Sequence, residues 1–176
     1  MIKVFVWLVM LLPLPALSLN CDTINQLSMI QKHNLSKSYS YGQPYELGYT
    51  LAAIALVESQ AGKWRLNIKT GDVGLYQINY ITAQNTLGVD RYYDQLDLHQ
   101  RLIYDDVLGA EIAIATLEHF RKSRVMTSEI WQQMIRSYNT GSQWKRNKQM
   151  KEKADGYLQK VSNSINLLQK CEKHWR

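Results

Sequence analysis

Apolar residues fall at helical steps along most of this chain, with one clear interruption. Ile24, Leu27 and Ile30 repeat at helical spacing within residues 22–34. Past Pro44, Leu47, Leu51 and Ile54 step by four and then three residues through 46–58, one stripe of a helix. Ala52, Ala53, Leu56 and Val57 occupy its other faces, so this second helix is expected to be largely buried. The pattern then stops. Residues 62–78 hold Gly62, Gly71 and Gly74 with Asn67, Thr70 and Asp72, which is loop or short-hairpin chemistry. Helical periodicity returns over about 105–121, 127–138 and 152–170, the last with Tyr157, Val161 and Ile165 at four-residue steps. The pattern predicts a mainly α domain with a small β or irregular insert after its second helix.

The first 18 residues stand apart. Lys3 precedes an unbroken apolar run over residues 4–12; Pro13 and Pro15 break it, and small residues follow. This is the pattern of a secretory signal peptide, and the run is about half the ~20 residues a membrane span needs. Residues 19–176 are then one domain, large enough to bury a core without staples. An oxidising compartment favours pairing of Cys21 with Cys171, the alternative being two free thiols. Lipid attachment at Cys21 fits poorly with Asn20 before it. The expected location is the periplasm or the extracellular side, against the cell wall.

Composition excludes several classes. Of 176 residues, 45% are hydrophobic and 20% charged, values of a globular protein. Nine glycines and three prolines are too few for a low-complexity linker, and two cysteines too few for a four-cysteine zinc site. His33, His99, His119 and His174 are scattered without ligand spacing, so no metal is expected. The net charge of +6 is unevenly placed: residues 121–176 carry 13 Lys/Arg against 4 Asp/Glu. Lys145, Arg146, Lys148, Lys151 and Lys153 are its densest part. An exported chain without nucleic-acid motifs does not point to nucleic acid; a polyanionic wall polymer or a membrane surface fits better.

Glu58 is the sharpest single position. Its helical angle matches that of Leu47, Leu51 and Ile54, so a carboxyl group ends an apolar stripe. Burial disfavours the charged form and should raise its pKa, which suits a general acid. The plain alternative is a last-turn glutamate frayed into solvent.

The wider sequence carries a resemblance. Glu58-Ser59 is followed by Gly74-Leu-Tyr-Gln-Ile78, then by Ser137-Tyr-Asn-Thr-Gly141, then by Tyr157-Leu-Gln-Lys-Val161. In order and spacing these segments resemble the lytic transglycosylase domain of the soluble lytic transglycosylase (SLT) type, a lysozyme-like fold, over about residues 45–165. In size and layout the chain is also similar to the small exported transglycosylases that accompany secretion and conjugation systems. The resemblance implies Glu58 as catalytic acid/base, with Ser59, Gln77, Tyr138 and Asn139 around the substrate. Tyr76 stands where methionine is usual and is expected to stack on a sugar; Thr140 replaces an alanine, and the Asn-Pro that often follows Glu-Ser is absent. The implied substrate is peptidoglycan, cleaved between N-acetylmuramic acid and N-acetylglucosamine to leave a 1,6-anhydro end. A monomer without a cofactor is expected, with a secretion, pilus or conjugation machine as a possible partner.

Two other readings stay open. Asp72-Val-Gly-Leu-Tyr-Gln-Ile-Asn79 is also similar to a segment of animal c-type lysozymes, in which the aspartate is a second catalytic carboxylate. That would make the chain a hydrolase using Glu58 and Asp72; the plainer role of Asp72 is a turn residue after Gly71. The chain could instead be a weakly catalytic wall-binding assembly factor.

Overall fold

The computed structural model describes residues 21–88, 92–121 and 125–176, with the side chains of 92–96 excepted. The expected leader at residues 1–18 lies outside the described residues. Eight α-helices are described: α1 (Asp22–Asn25), α2 (Met29–Gly42), α3 (Gly48–Ser59), α4 (Tyr80–Leu87), α5 (Tyr92–Tyr104), α6 (Asp106–Phe120), α7 (Ser128–Thr140) and α8 (Lys148–Lys170). No strand occurs among the described residues; the insert has two isolated antiparallel bridges, Leu66 with Val73 and Val73 with Ile78. The domain is mainly α, with the irregular insert following α3.

The start of the chain is broken where one helix was expected. Ser28 accepts from the Gln31 backbone N–H while the Gln31 side chain accepts from the Ser28 N–H, a capping box that begins α2 afresh. Pro44 lies in a short 3-10 turn, and α3 starts two residues later than the apolar stripe suggested. Helices α4 and α5 were not anticipated.

Helix α3 is the core. Leu51, Ala52, Ala53, Ile54 and Ala55 are fully buried, with α2 on one side and α8 on another. Its end is sharply defined. Gln60, Ala61 and Gly62 all have left-handed backbone, with φ of 50°, 55° and 90°. Side chains from α2 hold this turn: Gln31 donates to the Gln60 carbonyl at 2.8 Å and Asn34 to the Ala61 carbonyl at 2.9 Å. Ser59 Oγ accepts from the Gly62 N–H at 2.8 Å. The strained turn fixes where the last residues of α3 point.

The insert is anchored as firmly. The Arg65 guanidinium grips both carboxylate oxygens of Asp106 at 2.6 and 3.0 Å and the Ile103 carbonyl at 3.0 Å. Gly74 sits at φ +81°, and a Cβ there would lie 2.1 Å from the Leu102 carbonyl oxygen. Gly74→Ala is therefore expected to destabilise the fold by at least about 2 kcal/mol, read as a lower urea midpoint.

The chain ends are joined. Cys21 and Cys171 form a disulfide with Cα atoms 5.5 Å apart. Nearby, the Trp175 ring meets Tyr39 and Tyr49 edge-on at centroid distances of 6.1 and 6.3 Å.

Candidate active site

Glu58 stands in the last turn of α3, two residues before the left-handed turn, and is mostly shielded from solvent. It lines a cavity of about 280 Å³ with Asp72, Gln77 and Asn79 from the insert, Thr82 from α4, Thr116 from α6, and Tyr138, Asn139 and Gly141 at the end of α7. Thr82, Thr116, Tyr138 and Gly141 also line a second cleft of about 480 Å³ that reaches His119 and Phe120.

Burial pushes the Glu58 carboxyl up to about 7, and the nearby negative charge of Asp72 adds to the rise. The Tyr157 hydroxyl, then Lys153 and Lys160, act the other way. The Tyr157 hydroxyl is buried and approaches the carboxylate outside ordinary hydrogen-bond geometry. Its ring stacks on Tyr138, with centroids 6.4 Å apart and planes 9° from parallel. Asn139 Oδ1 is likewise buried without a partner. Buried polar atoms are almost always satisfied; the Tyr157 hydroxyl faces Glu58, so the Asn139 oxygen is the buried acceptor left for something else to meet.

The structure sorts the expected site residues. Glu58, Asp72, Gln77, Tyr138 and Asn139 come together around one cavity. Ser59 and Tyr76 do not. Ser59 is fully buried, and its hydroxyl is committed to the carbonyls of Leu75 at 2.6 Å and Ala55 at 3.1 Å. It ties α3 to the insert instead of touching substrate. Tyr76 is also fully buried; its hydroxyl pairs with Ser38 Oγ at 2.9 Å, and its ring lies against Gly109. The expected sugar-stacking role is corrected to a core role: the residue before Gln77 points inward, and Tyr138 donates to the Tyr76 carbonyl at 3.1 Å.

Gln77 has mixed duty. It takes φ +47°, and its amide nitrogen donates to the carbonyls of Gly74 at 3.0 Å and Trp64 at 3.2 Å. Asp72 accepts from Thr70 at 2.6 Å through one oxygen and from Asn79 at 3.0 Å through the other. Tyr157 was not among the expected site residues, yet its hydroxyl faces Glu58. Its signal was present, since it opens the Tyr-Leu-Gln-Lys-Val segment and lies on the buried stripe of α8. Thr82 lies in the Ile81-Thr-Ala83 segment that continues the resemblance, whereas Thr116 gave no signal in the sequence.

Volume alone does not select this place. A cleft of about 590 Å³ between α3, α7 and α8 is roomier, yet its one carboxylate, Glu46, is ion-paired with Arg121 at 3.3 Å. The Glu58 cavity instead joins a shielded acid to the unmet Asn139 oxygen.

The family model described as "Transglycosylase SLT domain" matches residues 36–160. No curated protein and no solved structure matches the chain.

Proposed function

This chain belongs to the transglycosylase SLT domain family, lytic transglycosylases of the lysozyme-like superfamily, and from that premise we propose that it cleaves the bond between N-acetylmuramic acid and N-acetylglucosamine with Glu58 as sole acid and base. The observation that carries this reading is the Glu58 carboxyl, shielded at the end of α3 in the wall of a cavity and pushed up to about 7. A group of that pKa keeps its proton in about half of the molecules at neutral pH and can release it to a leaving group.

Protonated Glu58 donates to the glycosidic oxygen as the bond to the muramic anomeric carbon breaks. The resulting carboxylate accepts the proton of the muramic 6-hydroxyl while that oxygen attacks the same carbon. The products are a 1,6-anhydro end and a free 4-hydroxyl, and no water is consumed. The Tyr157 hydroxyl, its ring backed by Tyr138, holds the carboxyl in place, and Asn139 is assigned to a sugar substituent. Export through the leader at 1–18 brings the enzyme to its polymer, where local opening of the wall serves a secretion, pilus or conjugation apparatus.

A hydrolase reading is favoured by one observation, Asp72 lining the same cavity. Against it, both Asp72 oxygens accept hydrogen bonds within the insert, from Thr70 and Asn79, which is the turn role that needs no catalytic duty. Asp72→Asn is therefore expected to lower the rate tenfold or less, about 1.4 kcal/mol of barrier. Mass spectrometry of muropeptides released from purified sacculi decides. Anhydro ends that resist borohydride are expected. Reducible ends with a crippled Asp72→Asn enzyme would move the chain to the muramidases, and binding without cleavage would make it an assembly factor.

A further inference from the structure

The basic residues of the last third do not act as one patch. Lys151 pairs with Asp155 at 2.8 Å, and Asp155 with Arg136 at 2.6 Å, on the flank of α8 that meets α7. The Lys145 ammonium lies over the Trp144 ring, 5.4 Å from its centroid. Lys153 and Lys160 differ. Both are exposed, and neither makes an ion pair among the described residues. At 100° per residue they share one flank of α8, within about 60° of Tyr157. The Tyr157 ring stacks on Tyr138 in the wall of the Glu58 cavity, so this flank borders the site. Both ammonium groups are felt at the Glu58 carboxyl.

Gly156 lies between them on the same flank, exposed, in the interior of a 23-residue helix. Glycine weakens a helix interior relative to alanine. No neighbour requires it here: an added Cβ would meet nothing within 4 Å. The missing side chain leaves bare backbone between two cations.

We propose that this flank binds the free carboxylates of the peptide stem that branches from muramic acid beside the scissile bond, with Lys153 and Lys160 as the cations and Gly156 giving the peptide room to lie along the helix. The proposal rests on the peptidoglycan reading of the cavity. The glycan itself, a chain of N-acetylated sugars, offers little for a cation pair to bind; the acidic residues of the stem do. Seven helical residues separate the two lysines by roughly 10 Å along the axis, about the reach of three extended peptide residues. Charges of this kind set selectivity and encounter rate and weaken with salt.

The test compares glycan strands whose stem carboxylates are free with strands whose stem carboxylates have been chemically amidated. Wild-type kcat/KM is expected to be at least tenfold higher on the strands with free carboxylates at low ionic strength, with the ratio shrinking as salt is added. The double variant Lys153→Gln/Lys160→Gln should bring the ratio near one, mainly through KM. The corresponding Arg variant should retain it, Gly156→Leu should reduce it, and Lys148→Gln, on the opposite face of α8, should leave it unchanged. Equal wild-type cleavage of both substrates, or a preference that survives the double Gln change, overturns the inference and leaves the peptidoglycan reading standing. Cleavage of neither substrate sinks the reading, and the inference with it.

Discussion

Glu58→Gln is expected to lower wall clearing roughly a thousandfold or more, about 4 kcal/mol of barrier. Glutamine keeps the size and polarity of the side chain but supplies no proton. Wall binding should survive in a pull-down with purified sacculi, because the rest of the cavity wall is untouched. The pH profile follows from the same group. With a pKa near 7, the proton-bearing form fails above neutrality, so wild-type activity should fall as pH rises through about 7. Stability has its own signature. The folded carboxyl titrates near 7 and the unfolded one near 4.5. Below about 4.5 both states are protonated. As pH rises from there to about 7, the unfolded state releases its proton first, so stability falls and then levels off. The loss is at most about 3 kcal/mol. The Gln variant lacks this decline and should melt above wild type at pH 8, with the gap closing near pH 4. Activity within a few-fold of wild type would put the acid elsewhere.

Loss of the disulfide is expected to be the largest single stability effect. Cys21 and Cys171 are 150 residues apart in sequence. Closing so long a loop restricts the unfolded chain by roughly 4–5 kcal/mol at most, or about 10–20 °C in Tm for a domain of this size. Cys171 is fully buried in the core, so Cys171→Ser also leaves a hydroxyl in an apolar setting. Cys21→Ser, at a partly exposed position, isolates the effect of the bond. Thiol titration of the unfolded, unreduced protein should find no free sulfhydryl. Two would show the bond absent and remove the expected difference in melting.

The legible parts of the sequence were those where one physical demand acted alone. The apolar stripe ending at Glu58 required a buried helix with an acid at its end, and α3 is that helix. The three glycines of the insert demanded turns, and Gly62, Gly71 and Gly74 all take positive φ. Positions under two demands misled. Tyr76 reads as a ring beside a binding glutamine, but inward packing against Gly109 won. Ser59 reads as a partner of Glu58, yet a hydroxyl at the end of a buried helix first satisfies the carbonyls and N–H group around it. Helix α4 was missed because Thr82, Asn85 and Thr86 are weak helix formers, although Asn79 caps its start and Gly88 its end. In α5 the Leu98 and Leu102 pair was readable and went unread.

The site is assembled from pieces that are made at different times. Helix α3 and the insert lie close together in sequence, but Tyr157 arrives on α8, about a hundred residues after Glu58. A chain emerging amino end first therefore carries its acid long before it carries the wall that shields it. Until α8 docks against α3 and α7, Glu58 lacks the Tyr157 hydroxyl that faces it in the finished fold. On the proposed reading, cleavage is then expected only of the finished molecule, and a chain truncated before α8 should release nothing from purified sacculi.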